Sequence, residues 1–428
     1  MLARSSVSIA RKSVARSFFN SANVANQVAV DEEFPGLPAT HPAAPKAGKT
    51  EVSVTGSGIK IASNNTDPFV TTLGVQLAAG SRVETDETAG LSQLFAKMAF
   101  RATDARSDLR LFRDIEAIGD HTEAAAQILA ETTLAPRFAH WDIATQKEQV
   151  KVELEKIASN PAELVLEGVY AAAFYDDVTL GRPVVSTENL AKYDTEDLWK
   201  FYETYVNTAG AALIGSGIEH SDLANIANEY FSELPVGAPI NRTPAKYVGG
   251  ESRVKTSSPV THVALGFETV GKHDALYGSA NVFRALLAGR LNPKQASAFF
   301  ASHGDAGVLG FSGHAANADV GALVDSFIAE IKSLATTPVS AEELAVAKTV
   351  TALKAYSSIN TRQGMVERLG LLGVAQVPVP SPSSLVDSAT PKSIQELAQK
   401  ALASRPSVAS IGKVSAVPRV EAVLAKLK

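Results

Sequence analysis

Residues 69–100, FVTTLGVQLAAGSRVETDETAGLSQLFAKMAF, contain the strand and the helix on which the fold depends. The first ten of these residues alternate in the manner of a strand on a half-buried sheet. After an acidic loop and Gly90, apolar side chains recur at positions i, i+3, i+4 and i+7, namely Leu91, Leu94, Phe95 and Met98. This spacing predicts a helix over residues 91–100.

The same order of strand and helix extends over the rest of the chain. In the first half, periodicity predicts helices over 107–118, 139–158, 162–174, 195–205 and 220–231, with strands at 51–55, 58–62 and 211–218. A helix over 122–134 is implied only by the family resemblance described below. In the second half it predicts strands at 261–267, 307–313 and 407–412, with helices over 276–287, 320–334, 341–357, 361–372 and 391–403. An internal duplication of an α+β unit explains this repetition best.

The length and composition are those of a two-domain globular protein. The chain has 428 residues, of which 45% are hydrophobic and 20% are charged, and this is too long for one ordinary core. Residues 233–250 hold several prolines and glycines and mark the best domain boundary. The predicted divisions are a leader at 1–22, an extended lead-in at 23–50, an N-terminal domain at 51–235, a linker at 236–250 and a C-terminal domain at 251–428.

The first thirty residues resemble a mitochondrial transit peptide. They contain four basic residues, five serines before position 20 and no acid until Asp31, which is the composition of such leaders. Removal of the four cations leaves 36 basic against 45 acidic side chains, a net charge near −9. This charge argues against a chain that binds nucleic acid or anionic lipid.

Several classes of catalytic site are excluded by the residues themselves. The chain has no cysteine, so it has no disulfide, thiolate nucleophile, cysteine-bound zinc or iron–sulfur cluster. No two of its eight histidines lie within four residues of each other, so helix-borne zinc pairs are missing. We expect these histidines to be surface or loop residues. Gly215-Ser216-Gly217 is too short a signal for a phosphate-binding loop and is interpreted as a turn.

Two stretches carry a resemblance to a known family. Residues 80–84 (GSRVE) and 90–103 (GLSQLFAKMAFRAT) resemble the inverted zinc-binding segment of the pitrilysin-type (M16) metallopeptidases. In active members this helix carries H-x-x-E-H, whose two histidines bind zinc and whose glutamate activates the metal-bound water. The resemblance implies two homologous α+β halves, each a β-sheet with helices packed on it, that form a clamshell around a cavity.

The residues at the catalytic positions of this chain depart from that pattern. The three positions of H-x-x-E-H are Gln93, Ala96 and Lys97, and Glu153 matches the third metal ligand of the family. One carboxylate cannot hold zinc alone, Lys97 places an ammonium group where the cation would lie, and Ala96 removes the general base. The resemblance therefore implies no catalytic residue, no metal and no other cofactor. We hypothesise that Glu153 pairs with Lys97.

The resemblance extends over residues 50–428 with one departure. It includes 109–119, the LGRP run at 180–183, residues 195–205 and, in the second half, 307–311 and 339–354. The family has two further strands after the position of Gly119, and here residues 120–121 replace them. Either the first sheet is smaller and its neighbouring strands close up, or the sequence lacks a piece. A truncated sheet would expose an edge that another subunit could cover.

Among the mitochondrial members, the chain is most similar to the non-catalytic core proteins of the cytochrome bc1 complex (ubiquinol–cytochrome c reductase). The runs 278–287, 304–311 and 407–424 carry this similarity. It implies a matrix-side scaffold that pairs with the other core protein, contacts cytochromes b and c1, and meets the membrane only through partners. The alternative is the substrate-binding α subunit of the mitochondrial processing peptidase. That subunit has a glycine-rich loop where this chain has only Gly289 within 286–293.

Overall fold

The structure, a computed structural model, describes residues 48–65, 70–118, 121–174, 179–183, 186–238, 240, 242–292, 294–375 and 380–428. The predicted leader at 1–22 and most of the predicted lead-in lie outside these residues. Gly48–Lys428 form one packed unit that contains two β-sheets.

The first half supplies the smaller sheet. Its strands are β1 (Thr50–Val54), β2 (Lys60–Asn64), β3 (Thr72–Leu77) and β4 (Ala211–Ser216). Its helices are α1 (Leu91–Lys97), α2 (Asp108–Ala117), α3 (Thr122–Leu134), α4 (His140–Ala158), α5 (Pro161–Ala173), α6 (Thr195–Tyr205) and α7 (His220–Tyr230). The predicted helix over 91–100 ends earlier, because the chain turns at Phe100, whose φ is 58°.

The second half supplies the larger sheet. Its strands are β5 (Glu251–Lys255), β6 (Val260–Thr269), β7 (Ala296–Ser302), β8 (Gly307–Ala316) and β9 (Ser407–Gly412). Its helices are α8 (Tyr277–Arg290), α9 (Val320–Thr336), α10 (Ala341–Ile359), α11 (Arg362–Ala375), α12 (Pro382–Asp387), α13 (Pro391–Ala403) and α14 (Val420–Leu427). The sequence patterns do not predict β5, β7, α12 or α14.

The two sheets share a three-stranded pattern. In the first sheet, ordered β1-β2-β4-β3, β4 lies parallel to β2 and antiparallel to β3. In the second, ordered β5-β9-β6-β8-β7, β9 lies parallel to β5 and antiparallel to β6. The late strand of each half therefore inserts between two earlier strands in the same way. This topology confirms the predicted duplication.

The halves differ at one edge of each sheet. In the second half the β7–β8 hairpin extends the sheet beyond β6. In the first half residues 118–121 join α2 to α3, and among the described residues no strand pairs with the outer edge of β3. Over the described residues the first sheet thus has four strands, and no neighbouring strand closes over β3. Its outer backbone groups remain an open edge.

Each half also covers the sheet of the other with a helix. Helix α5 packs on β9 and β6, while α11 of the second half packs on β4 and β2. The approach is close at two glycines, because a Cβ atom at Gly168 would lie 3.1 Å from Ala409 Cβ and one at Gly373 would lie 3.0 Å from Ala212 Cβ. This exchange fixes the two halves against each other.

Apolar cores fill the space between each sheet and its own helices. In the second half, Phe267, Phe283, Phe311 and Phe327 are almost fully buried, and the Phe311 and Phe327 rings stack with centroids 4.8 Å apart. The first-half core holds α1 through Leu91 and Leu94. Among the described helices, none combines the length and apolar character that a bilayer span requires.

Candidate functional site

Helix α1, which carries three of the four degenerate zinc positions, is held at its start by Glu84. The buried carboxylate of Glu84 accepts hydrogen bonds from the backbone N–H groups of Gly90 at 2.9 Å and Ser92 at 2.7 Å. A negative charge at this end of a helix complements the unpaired N–H groups of its first turn. The sequence patterns assign no role to Glu84. Its partners are backbone N–H groups, so no second side chain at a fixed spacing marks the interaction in the sequence.

The loop before α1 is fixed by residues that belong to the family resemblance. Gly90 has a φ of 88°, and a Cβ atom there would lie 2.5 Å from the carbonyl oxygen of Ser186. Arg182 Nη2 donates to Asp86 at 2.9 Å, and the Tyr193 hydroxyl donates to the carbonyl of Ala89 at 2.8 Å. Burial, and secondarily the charge of Glu84, raise the pKa of Tyr193 to about 12. These residues build a framework around α1.

The four predicted positions converge between α1 and α4. Lys97 Nζ forms an ion pair with Glu153 Oε1, and Gln93 Nε2 donates to Glu153 Oε2 at 3.3 Å. Ala96 lies on the same helix as Gln93 and Lys97 and lines a neighbouring cavity. The hypothesised pair between Lys97 and Glu153 is therefore present, and both oxygens of the carboxylate are engaged.

This donor set does not fit zinc. A zinc site needs three or four nitrogen, oxygen or sulfur ligands, and here the only anionic ligand is Glu153. Its partner Lys97 is a cation that would repel a metal ion. In the part of the chain that the structure describes, no group of three or more His, Cys, Asp or Glu side chains is arranged to hold a metal. The local chemistry is that of a structural ion pair.

An apolar cavity of about 590 Å³ lies beside the degenerate position, between β3 and helices α1, α3 and α6. Its lining includes Leu73, Val75, Phe95, Leu129, Phe138 and Tyr202. The Phe95 ring lies 5.0 Å from that of Phe201 and 5.9 Å from that of Phe138. The cavity adjoins β3, whose outer edge has no strand partner among the described residues. The side chains of a further hairpin could fill this space.

Two histidines expected on surfaces or loops instead meet within the second sheet. His262 on β6 and His314 on β8 are register partners, and their rings lie 5.4 Å apart. Burial, and secondarily His314, lower the pKa of His262. The exposed side chain of His314 confirms the expected surface position, whereas His262 is half-buried on β6. Their pairing was not predicted, because cross-strand neighbours are distant in sequence. His220, at the start of α7, bonds Ser53 and Ser63 at 2.8 Å each.

Comparison with protein families matches both halves. Residues 60–127 and 120–188 match the model described as insulinase (peptidase family M16), and residues 192–351 match the model described as peptidase M16 inactive domain. Together these matches span most of residues 60–351. The chain belongs to the M16 peptidase family. The first model matches in two segments that overlap at 120–127, at the end of the short α2–α3 connection and the start of α3.

Curated relatives of this M16 chain fall in two groups. One is a probable mitochondrial-processing peptidase subunit alpha-1 of Arabidopsis thaliana, 26% identical, with coverage of 96% of this chain and 92% of the relative. Another is cytochrome b-c1 complex subunit 2 of Homo sapiens, 24% identical, with coverage of 94% and 97%. The corresponding protein of Rattus norvegicus is 24% identical over 85% of this chain and 89% of its own length.

A solved structure shares the fold. A chain in complex III₂ from Candida albicans, determined with Inz-5 bound, superimposes with a TM-score of 0.77 at 15% sequence identity. The alignment covers 89% of this M16 chain and all of that chain. The likeness confirms the two-domain M16 architecture with helices packed on each sheet.

Proposed function

We propose that this M16 chain is a structural, non-catalytic subunit of the mitochondrial cytochrome bc1 complex, of the core protein 2 type. In this role the chain supports assembly and stability of the respiratory complex and carries no catalytic residue or cofactor of its own. The relatives named as subunit 2 of that complex, which align over nearly the full length, support this assignment.

The observation that carries the non-catalytic role is the ion pair at the former zinc position. Lys97 and Gln93 engage both oxygens of Glu153, so the one carboxylate that matches a family ligand is already occupied. Ala96 offers no base to activate water. The two histidine ligands and the general base are thus replaced together, so α1 carries no group that would hydrolyse a peptide bond.

The region that corresponds to the glycine-rich loop of the processing-peptidase α subunit favours a scaffold over a presequence binder. Here Gly289 lies inside helix α8, and its neighbour Arg290 is fixed by Glu343 through two bonds of 2.6 and 2.9 Å. Arg290 also approaches Glu330 at 3.4 Å. A helix end held by a bidentate ion pair lacks the flexibility that a loop gripping varied peptides requires.

The second candidate is the α subunit of the mitochondrial processing peptidase. The plant relatives with that name are 26% and 27% identical to this chain, slightly more than the 24% of the bc1 subunit 2 relatives. This role would also need no zinc site in the chain, because the catalytic residues would belong to its partner. It predicts a small soluble heterodimer with presequence-cleaving activity.

The proposed role implies specific partners and a location. The chain would form a heterodimer with core protein 1 and contact other bc1 subunits, including cytochromes b and c1. It would lie on the matrix side of the inner membrane and meet the membrane only through those subunits. The net charge of −5 offers no general attraction for nucleic acid.

Native electrophoresis of mitochondria extracted with mild detergent tests this proposal. We expect the chain to migrate with cytochromes b and c1 in one high-mass band, without stoichiometric zinc in the purified chain. Migration in a small soluble heterodimer that cleaves presequence peptides would overturn the proposal and favour the peptidase α subunit.

A further inference from the structure

A second cavity, of about 460 Å³, lies between the two halves of the chain. Its wall includes residues 77–80, 82 and 83 at the end of β3 and after it, Arg242 and Pro244 of the segment between the halves, and two turns of the second half at 272–273 and 303–305. It is separate from the degenerate zinc position, because none of Gln93, Ala96 or Glu153 lines it. Its volume falls in the range typical of pockets that hold small molecules.

The charged side chains of this cavity are mainly basic. Arg82, Arg242 and Lys272 line it, and Asp305 is the one carboxylate in the described lining. Two histidines, His273 and His303, also face this space. The cavity is therefore cationic within a chain whose net charge is negative.

Asp305 forms its ion pair with Arg82, so Arg242 and Lys272 have no ion-pair partner in the described lining. The charge of Asp305 only partly offsets the lowering of the pKa of Arg242. Arg82 donates to both oxygens of Asp305, at 2.9 and 2.7 Å, and the backbone N–H of Ala245 donates to the same carboxylate at 2.7 Å. Arg242 donates to the carbonyl oxygen of Ala78 at 2.9 Å. Among the described residues, neither Arg242 nor Lys272 has a carboxylate within 4 Å.

The basic groups are mounted on a fixed backbone. The turn at 272–273 bonds the turn at 303–304 through Lys272 N–H to His303 O at 2.7 Å and His273 N–H to Gly304 O at 3.3 Å. His303 N–H donates to Ala306 O at 2.8 Å. Lys272 and the histidines thus reach the cavity from a preorganised double turn, which lowers the entropic cost of binding a ligand.

Burial in this cavity disfavours the charged forms of its basic side chains. Burial lowers the pKa of Lys272, and burial together with the charge of Arg82 lowers the pKa of Arg242. Burial, and then the charges of Lys272 and Arg82, lower the pKa of His303. A cation without a partner in a partly dry space destabilises the folded chain. An anion held between these groups would reverse that effect.

We propose that this cavity binds a phosphate-bearing anion through Arg242 and Lys272. The two positive charges without an ion-pair partner match a phosphate monoester or inorganic phosphate, which carries between one and two negative charges at neutral pH. Arginine and lysine donate charge-assisted hydrogen bonds to phosphate oxygens. The cavity has room for the phosphate and a small organic group attached to it. The phosphate belongs either to a soluble metabolite or to a lipid headgroup.

Calorimetric titration of the purified full chain with inorganic phosphate, at ionic strength balanced with chloride, tests the proposal. We expect saturable binding that Lys272→Met and Arg242→Gln each weaken at least about tenfold, since each removes one charge-assisted contact. Lys332→Met, at a half-buried lysine of α9 outside the cavity, should bind phosphate like the wild type. In chloride alone, Lys272→Met should unfold at no lower temperature than wild type, which separates loss of binding from loss of folding.

Two further arms distinguish the sources of the phosphate. Glycerol 3-phosphate binding that depends on Lys272, with no flotation on phosphatidic acid vesicles, would identify a soluble phosphate compound. Flotation on those vesicles but not on phosphatidylcholine vesicles, again lost in Lys272→Met, would identify a lipid headgroup. The proposal is overturned if inorganic phosphate does not bind, or if Lys272→Met binds it as tightly as Lys332→Met does.

Discussion

Lys97 Nζ lies against Glu153 Oε1. In the family resemblance, Lys97 stands at the position of the second zinc-binding histidine and Glu153 at that of the acidic zinc ligand. The lysine and glutamate side chains keep 32% and 42% of their surface exposed, so solvent screens their attraction. The pair fills the position with opposite charges that need no metal. The pair links α1 to α4.

Removal of this pair should cost little but measurable stability. We expect Lys97→Met and Glu153→Gln to show a coupling energy of about 0.5–1 kcal/mol in a double-mutant cycle, as half-exposed pairs do. Denaturant unfolding of the two single variants and the double variant measures it. The Lys151–Glu148 pair within α4 is more exposed and serves as the control with a smaller coupling. If the stability losses of the two single variants simply add in the double variant, the coupling energy is zero and a direct interaction is contradicted.

Restoration of the family ligands should create a zinc site. The combined changes Gln93→His, Ala96→Glu and Lys97→His place two imidazoles one helical turn apart, opposite Glu153. We expect the purified triple variant to retain about one zinc ion per chain after dialysis, and the wild type to retain none, as measured by metal analysis. Addition of Glu153→Gln to the triple variant should lower the zinc content. Equal zinc in the wild type would contradict the structural assignment of this site.

Gly90 should tolerate no side chain. Its φ of 88° and the Ser186 carbonyl oxygen, 2.5 Å from a Cβ atom placed there, predict that Gly90→Ala lowers the free energy of unfolding by about 2 kcal/mol or more. Thermal and denaturant unfolding check this value. Gly289→Ala is the control, because a Cβ atom on this helical glycine meets nothing within 4 Å. A loss at Gly289 as large as that at Gly90 would refute the steric explanation.

The contact between Arg82 and Asp305 should make the stability of the folded chain depend on pH in the acidic range. Burial alone would raise the pKa of Asp305, but hydrogen bonds from Arg82 and the Ala245 N–H outweigh burial and lower it to about 2. The ionised carboxylate is thus favoured by folding. Its contribution is complete above its ordinary pKa of 3.8 and is lost as the pH falls toward 2.

Asp305→Asn should therefore lower the melting temperature near neutral pH and flatten its decline between pH 4 and pH 2. Asp325→Asn removes a more exposed pair with Lys426 and should leave that decline unchanged. An unchanged pH profile in Asp305→Asn would contradict the role of this carboxylate.

The open edge of the first sheet should be visible in hydrogen exchange. Within the part of the chain that the structure describes, β3 pairs only with β4, whereas β6 is flanked by β8 and β9. In the isolated chain we expect alternate amides of β3 to exchange faster than those of β6, because their N–H groups face outward. Mass spectrometry of exchanged peptides measures the difference. Uniform slow exchange along β3 would show that an undetected partner strand covers it.

Much of the fold follows from local patterns. The helix at 91–97 has the periodicity of one buried face, and the strand at 211–216 is a short apolar run that is buried on both faces, so each is predicted to within a few residues. β7 was missed because Ala296–Ser302 contains mostly alanine, serine and phenylalanine without clear alternation. α14 is not predicted, although Val420, Val423, Leu424 and Leu427 have the same spacing as the apolar residues of α1, because eight residues are few for such a pattern.

The tertiary relationships required coordinates. The exchange of α5 and α11 between halves depends on packing at Gly168 and Gly373, and a glycine inside a helix gives no sign of what lies against it. Among the zinc-position residues, the resemblance placed Lys97 near Glu153, although 56 positions separate them. No such resemblance was available for the Arg82–Asp305 contact. Charges distant in the chain meet only when the sheets are assembled.

Depletion of the chain from mitochondria tests the scaffold role most directly. After depletion, the amount of cytochromes b and c1 in the high-mass native band and the processing of imported precursors are measured in the same samples. We predict that the high-mass band falls severalfold while precursor processing continues, and that both wild type and the Lys97→Met variant restore the band. Accumulation of unprocessed precursors, with the cytochrome band intact, would contradict the scaffold role and favour the processing peptidase.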